Sequence, residues 1–317
     1  MEEQVQQAQL SDGHFSVGRI ASETGISPGT LRVWERRYGN PVPLRLPSGH
    51  RRYTKSQLVY LRLVAEGLAR GLRPSKLLRM EEGALAEMVQ RGSMPRLVGE
   101  GEGWLQVVRS QNAAVLQELL DSKARGKSTT EYLQDFLAPL LETIGSGWVA
   151  GSISIRHEHF ASEVIGDDLR VRRNKASLLP KSANAPTVVL ATLPEERHTL
   201  GLQMAALLVE EAGLDSCILG ADTPIDEIVS SVEDRNAGAL AISISLASGG
   251  PQADRMLNQL RSSLSPEIAV VVGGSGARRG KRGPRGVVPC NDMVELDAWL
   301  KNYYLEHVRE SDQEEAS

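Results

Sequence analysis

Cysteine is almost missing from this 317-residue chain: only Cys217 and Cys290 occur, and they lack the CxxC spacing of a thiolate site. A disulfide framework and a cysteine-ligated zinc centre are both unsupported, and the two thiols are expected as small core residues. Long apolar runs are missing as well, since none approaches the roughly 20 residues that a membrane helix needs. The amino terminus "MEEQVQQAQLSDG" is acidic and polar, unlike a signal peptide. A cytoplasmic protein with no membrane partner is the expectation. Aromatic residues make up only 4%, yet 41% hydrophobic and 24% charged residues describe a folded chain, and the length allows two or three domains. A phosphate loop is absent too. The stretch "GGSGARRGKRGPRG" at 273–286 offers no GxxxxGK[ST] register, because Lys281 is followed by Arg282. It reads as a solvated basic insertion, with a secondary DNA or phosphate contact as its other use.

What the chain does have is charge of one sign in one place. Between His14 and Arg79 thirteen bases face only Glu23, Glu35 and Glu66, a net of +10 inside a chain whose overall charge is −4. Such a concentration suits a polyanionic partner. The same region, "FSVGRIASETGISPGTLRVWERRYG", spells a short helix with Val17, Ile20 and Ala21 inward, a turn at Gly25, and a second helix with Ser27 as cap and Pro28 in its first turn. Two short helices around a glycine turn are the helix-turn-helix plan. "PVPLRLPSGHRRYT" then places Pro and Gly around a basic apex, as a small hairpin wing would. Any amphipathic helix pair carries arginines on its solvated face. The joint run "WERRYG…GHRRYT", followed by a helix from Ser56 to Gly71, is more particular and resembles the MerR family of winged-helix regulators over residues 14–80. That resemblance implies double-stranded DNA as partner. It puts the DNA contacts at Arg32, Arg36, Arg37 and Tyr38, on or just after the recognition helix, and at His50, Arg51, Arg52 and Tyr53 in the wing. Trp34 is expected in the core.

Residues 81–103 mix acids, glycine and proline and read as a frayed helix and linker. From 104 to 178 the pattern is that of a helix bundle: Leu105, Val108, Ala113, Leu116 and Leu119 mark one or two amphipathic helices, and Tyr132, Phe136, Leu140 and Ile144 recur every fourth position. Within it, "GWVAGSISIRHEHFASEVI" ends one helix near Trp148, breaks at Gly151 and Ser152, and sets Glu158 and His159 early in the next helix. By themselves these are a core indole and a polar helix face.

From residue 186 to 305 strands and helices alternate: TVVLATL, a helix to Gly213, SCILGA, a helix from Pro224 to Ala237, ALAISIS, a helix to about Leu264, IAVVVGG, VVPC, and a helix through Leu300. A parallel sheet in flavodoxin-like order is expected, binding its ligand beyond the carboxyl ends of the strands. His198 falls at that edge. A neutral imidazole there suits a metal that arrives with its own macrocycle, and Glu196 can orient the other ring nitrogen.

"ERHTLG" resembles the DxHxxG motif of cobalamin-binding domains, with Glu196 in place of the aspartate. By that resemblance His198 is the lower axial ligand of cobalt and Gly201 the close-approach glycine. Ser243 and Ser245 on the third strand, with Gly273 and Gly274 ending the fourth, match the pocket for the nucleotide tail. The whole order, and the W-x9-E-H spacing from Trp148 to Glu158 and His159, is similar to the CarH/LitR family of light-sensing, adenosylcobalamin-dependent repressors. The fold class so implied is a multidomain α and α/β chain: winged helix-turn-helix, four-helix-type bundle and Rossmann-type cobalamin-binding domain, with an acidic tail at 306–317. The resemblance further implies that Trp148 and Glu158 cover the adenosyl group. It implies that His159 is the upper ligand after photolysis, and that a dark tetramer, not an enzyme, grips operator DNA. A corrinoid-carrying methyltransferase-type protein shares the sheet and the helical cap. A MerR-like regulator that no longer uses cobalamin shares the reader.

Overall fold

The computed structural model describes residues 14–69, 72–90, 100–245, 248–277 and 285–314. Residues 91–99 of the expected linker, 278–284 of the basic loop and 315–317 of the acidic tail lie outside them. Two compact bodies emerge: residues up to Val98 together with Gly145–Ile155, and Gly99–Ile144 together with Arg156–Ser317.

The first body is the basic one. β1 (His14–Ser16) leads into α1 (Val17–Thr24), capped by Ser16 and closed by Gly25 at φ 69°. α2 (Pro28–Tyr38) starts at Ser27, whose side chain accepts from the Thr30 amide, and stops at Gly39 with φ 68°. Both stops need a left-handed residue, which glycine adopts without strain. β2 (Leu44–Arg45) and β3 (Arg51–Thr54) form the expected wing. Sequence reading did not anticipate β1, which completes a three-stranded sheet in the order β1-β3-β2. Three residues are too short for a periodic signal. α3 (Lys55–Ala69) supplies the long apolar face; α4 (Pro74–Leu77) and α5 (Glu82–Gln90) follow. Ile20, Leu31, Trp34, Tyr53, Leu58, Leu61, Val64, Leu77 and Leu85 form one core, and Val149 joins it.

The second body begins with α6 (Gly101–Ser110) and α7 (Ala113–Ala124), the latter capped by Asn112. α8 (Thr129–Tyr132) runs through a wide π-turn at Leu133–Leu137 into α9 (Ala138–Val149), whose residues from Gly145 on belong to the first body. Tyr132, Phe136, Leu140 and Ile144 are all buried, as their spacing predicts. α10 (Ile155–Ala176) carries Asp168, which is buried and accepts from Gln117 (2.9 Å), Tyr132 (3.1 Å) and Arg172 (2.8 Å). A buried carboxylate is stable only when so surrounded.

The sheet follows: β4 (Thr187–Thr192), α11 (Leu200–Glu211), β5 (Asp215–Gly220), α12 (Ile225–Asp234), β6 (Ala239–Ser243), α13 (Pro251–Ser263), β7 (Ala269–Gly273), β8 (Val287–Pro289) and α14 (Met293–Glu314). All pairings are parallel, in the order β5-β4-β6-β7-β8. This is the flavodoxin-like order. α14 runs on to Glu314 beyond the expected end at Leu300, with Trp299, Tyr303 and His307 stacked along it. Val189, Ala191, Leu240, Ile242, Val270 and Val272 fill one face of the sheet against α12 and α13. Because the strand order reverses between β4 and β6, the loops after those two strands diverge and leave a crevice at their carboxyl ends.

Candidate functional site: a carboxylate-held imidazole at the sheet rim

Four residues after β4 ends, Glu196 turns inward and is 1% exposed. Its Oε1 accepts from the His198 amide at 2.7 Å and lies 2.7 Å from His198 Nδ1. Its Oε2 accepts from the Ser245 amide at 2.7 Å and from the Ser248 hydroxyl. Burial alone would raise the pKa of this carboxyl, but the hydrogen bonds from His198, Ser245 and Ser248 outweigh it and hold the group down at about 2. The carboxylate is therefore charged and fully coordinated. His198 is its complement: the bond to Glu196 raises the imidazole pKa against burial, with the Glu158 charge adding to it. The ring stays 62% exposed. With Nδ1 committed to Glu196, and Ser245 Oγ also 3.1 Å from it, Nε2 is the nitrogen left for a ligand.

The surrounding backbone is stripped for close approach. A Cβ on Gly201, in the first turn of α11, would stand 3.0 Å from Ser243 Oγ at the end of β6. On Gly274 (φ 99°) it would be 2.3 Å from Ile244 O, and on Gly276 1.8 Å from Ser245 O. Gly201, Ser243, Ser245, Gly273 and Gly274 thus gather at the ends of β6 and β7. Ser248, Gly249 and Gly276 belong to the same cluster and were missed in the sequence. The only cue was the "SGG" run after the third strand, which signals a turn but not its partner. Among the described residues no three His, Cys, Asp or Glu side chains form a cage for a bare ion. One outward imidazole nitrogen beside small residues fits a metal held in a planar macrocycle.

On α10, Glu158 accepts from Ser162 at 2.9 Å and lies 3.5 Å from His159 Nε2; His159 is 69% exposed. Trp148 belongs to the first body, where the Arg62 guanidinium lies 4.5 Å from its ring centroid.

In the reader, Arg32, Arg36 and Arg37 are exposed on α2, Tyr38 is partly buried at its end, and His50 is exposed at the wing tip. Arg51 is held by Glu35 at 2.8 Å, Arg45 by the same carboxylate at 2.6 Å, and Arg52 donates to Arg51 O at 3.2 Å. The Arg51 hydrogen bond chiefly lowers the Glu35 pKa, so this acid pins recognition helix to wing. Tyr53 corrects one expectation. It is 1% exposed, paired across the ladder with Phe15, so it supports the wing from beneath and presents nothing to a duplex. Strand alternation turns it inward between Arg52 and Thr54.

A winged helix-turn-helix in a chain that also carries a parallel sheet with a carboxylate-held imidazole at its rim joins a DNA-binding type of fold to a Rossmann-type ligand-binding one. Residues 15–83 match the model of the MerR HTH family regulatory proteins, and residues 186–283 match the B12 binding domain. The chain is 28% identical over 277 residues to the HTH-type transcriptional repressor CarH of Myxococcus xanthus, covering 85% of this chain and 91% of that protein. It is 29% identical over 267 residues to the repressor CarA of the same organism, covering 82% and 86%. Together these matches support a CarH-type, cobalamin-dependent, MerR-like repressor. Among solved structures, the monomethylamine corrinoid protein of Methanosarcina barkeri overlaps 63% of this chain and 96% of its own at 13% identity and a TM-score of 0.48. Among the described residues no helix is long and apolar enough to cross a membrane.

Proposed function

We propose that the chain is a light-responsive repressor that binds operator DNA in the dark with adenosylcobalamin bound and releases it after illumination. The observation that carries this reading is the buried Glu196 carboxylate holding His198 Nδ1 at 2.7 Å, in a chain that also holds a basic winged helix. When bound, the cofactor supplies a cobalt-carbon bond that light breaks. The chain's residues do the rest. His198 would hold the cobalt through Nε2, its tautomer fixed by Glu196. Gly201 and Ser243, with Ser245, Gly273 and Gly274, leave room for the nucleotide tail. Trp148 and Glu158 would cover the adenosyl group, and His159 would be a second imidazole available to the cofactor. Arg32, Arg36, Arg37, His50, Arg51 and Arg52 meet the duplex, mostly at phosphates, which set affinity and salt dependence. Light thus acts as a population switch between a DNA-gripping homotetramer and a released form.

The test is an absorption spectrum of the protein with adenosylcobalamin in darkness and after green light, with His198→Ala and His159→Ala beside it. Protein-bound bands that change on illumination, a dark spectrum altered in His198→Ala and a photoproduct altered in His159→Ala are expected. A wild-type spectrum identical to that of free cofactor would falsify the reading.

A further inference from the structure

The segment Gly145–Ile155 lies with the reader, and its anchoring is specific. Val149 and Ile153 are 9% and 2% exposed, and Val149 is part of the reader's core. After α9 the chain closes a tight turn, with the Ser152 amide donating to Gly147 O at 2.8 Å and Gly151 at φ 72°. A Cβ on Gly151 would sit 3.2 Å from Val59 Cγ2 on α3. The central contact is Arg62, also on α3. Its side chain is 5% exposed, as is that of Glu23, to which its Nη2 donates. Nη1 donates to Trp148 O at 2.7 Å, and the guanidinium lies 4.5 Å from the indole centroid. A planar, desolvated cation against an indole face, with its fork shared between a carboxylate and a carbonyl, is a specific receptor for one residue.

Two donors in this contact are not used. Arg62 Nε and Trp148 Nε1 are both buried and have no hydrogen-bond partner among the described residues. Buried donors left unpaired are costly and rare in a permanent core. Here they mark a contact that is specific yet incomplete, as a holding site that releases its occupant would be.

We propose that Arg62, locked by Glu23, is the reader's holding site for Trp148, keeping the indole in the DNA-binding body while the chain is free of cofactor. The inference rests on the reading that Trp148 covers the adenosyl group. Trp148 then has two places, and binding of the adenosyl form has to draw it from the first. The apparent affinity for that form is lowered by the fraction of chains in which the indole is held.

The test uses the full chain and three substitutions. Arg62→Lys keeps a cation beside Glu23 but loses the flat face and the fork; Glu23→Gln keeps Arg62 but removes the charge that locks it. Circular-dichroism melts show which variants fold. Trp148→Phe isolates the emission of Trp148 by difference, and acrylamide quenching of that emission is followed without cofactor. Quenching should increase in Arg62→Lys and Glu23→Gln. In darkness adenosylcobalamin should bind Arg62→Lys about tenfold more tightly if roughly nine chains in ten hold the indole. Hydroxocobalamin, with no adenosyl group to cover, should bind both chains alike. Equal protection of Trp148 in wild type and a folded variant overturns the proposal, and so does increased quenching with no selective gain for adenosylcobalamin. If the wild type binds neither cobalamin, the cofactor reading falls, and the holding site stands or falls on quenching alone.

Discussion

Glu196 shows what one residue contributes when it is buried as a charge. An isolated carboxylate inside a protein would take up a proton, but this one receives hydrogen bonds from the amides of His198 and Ser245, the Ser248 hydroxyl and the His198 ring. Its pKa falls from 4.5 to about 2, so the stability it adds is fully present above 4.5 and is lost as pH falls through about 2. His198 has the opposite sign. Its pKa is raised above 6.5, so its contribution is present below that value and is lost as pH rises through the raised one. The ion pair is strongest between those limits. The His198 share is small, because an exposed imidazole is screened by water. Glu196→Gln should destabilise the ligand-free chain by on the order of 3 kcal/mol near neutrality. In urea unfolding the deficit should shrink as pH is lowered from about 5 toward 3. A deficit that stays constant over that range would mean that the carboxyl is not charged in the fold.

At the scale of elements, the site depends on how closely two strand ends approach. The backbone after β7 lies against the backbone after β6, and the contact leaves no space for a methyl group at Gly276, 1.8 Å from Ser245 O. Gly276→Ala should therefore cost about 3 kcal/mol, because a packed backbone cannot yield as a flexible side chain can. It should also weaken cobalamin binding by displacing Ser245, measured by thermal melts and cobalamin titration. Gly103, exposed in α6 with nothing within 4 Å of an added Cβ, is the control. There alanine should stabilise by up to about 1 kcal/mol. This contrast also explains what was legible in the sequence. The strands from Thr187 to Pro289, their helices, the turn at Gly25 and the cap at Ser27 follow from local periodicity and turn chemistry, as does the Glu196–His198 pair, two residues apart. β1, the inward turn of Tyr53, the Ser248 hydroxyl on Glu196 and the packing of Gly276 are contacts between distant segments. Glu196 and Ser248 are 52 positions apart, and no spacing rule joins them.

Over the whole molecule, charge is divided by task. Residues 14–79 carry +10 and the chain −4, which leaves −14 on everything else. The acidic remainder is repelled by a duplex, so the reader sets both the orientation and the salt dependence of binding. Each phosphate neutralised contributes about −0.9 to the slope of log affinity against log salt, so that slope counts the readers' contacts in a complex. Arg36→Ala, on the exposed face of α2, calibrates the count: it should flatten the slope by about 1 for each reader engaged and weaken specific and unrelated duplexes alike. Under the proposed light response, two ways of letting go can be told apart. If illumination dismantles an assembly, fewer readers stay on the operator, and affinity and slope fall together. If it only distorts a reader that stays in place, affinity falls while most phosphate contacts, and most of the slope, remain. Fluorescence anisotropy with labelled operator over a series of salt concentrations, in darkness with adenosylcobalamin and again after green light, separates the two. Dismantling predicts a lit slope that is a simple fraction of the dark one, and an unchanged slope would rule it out.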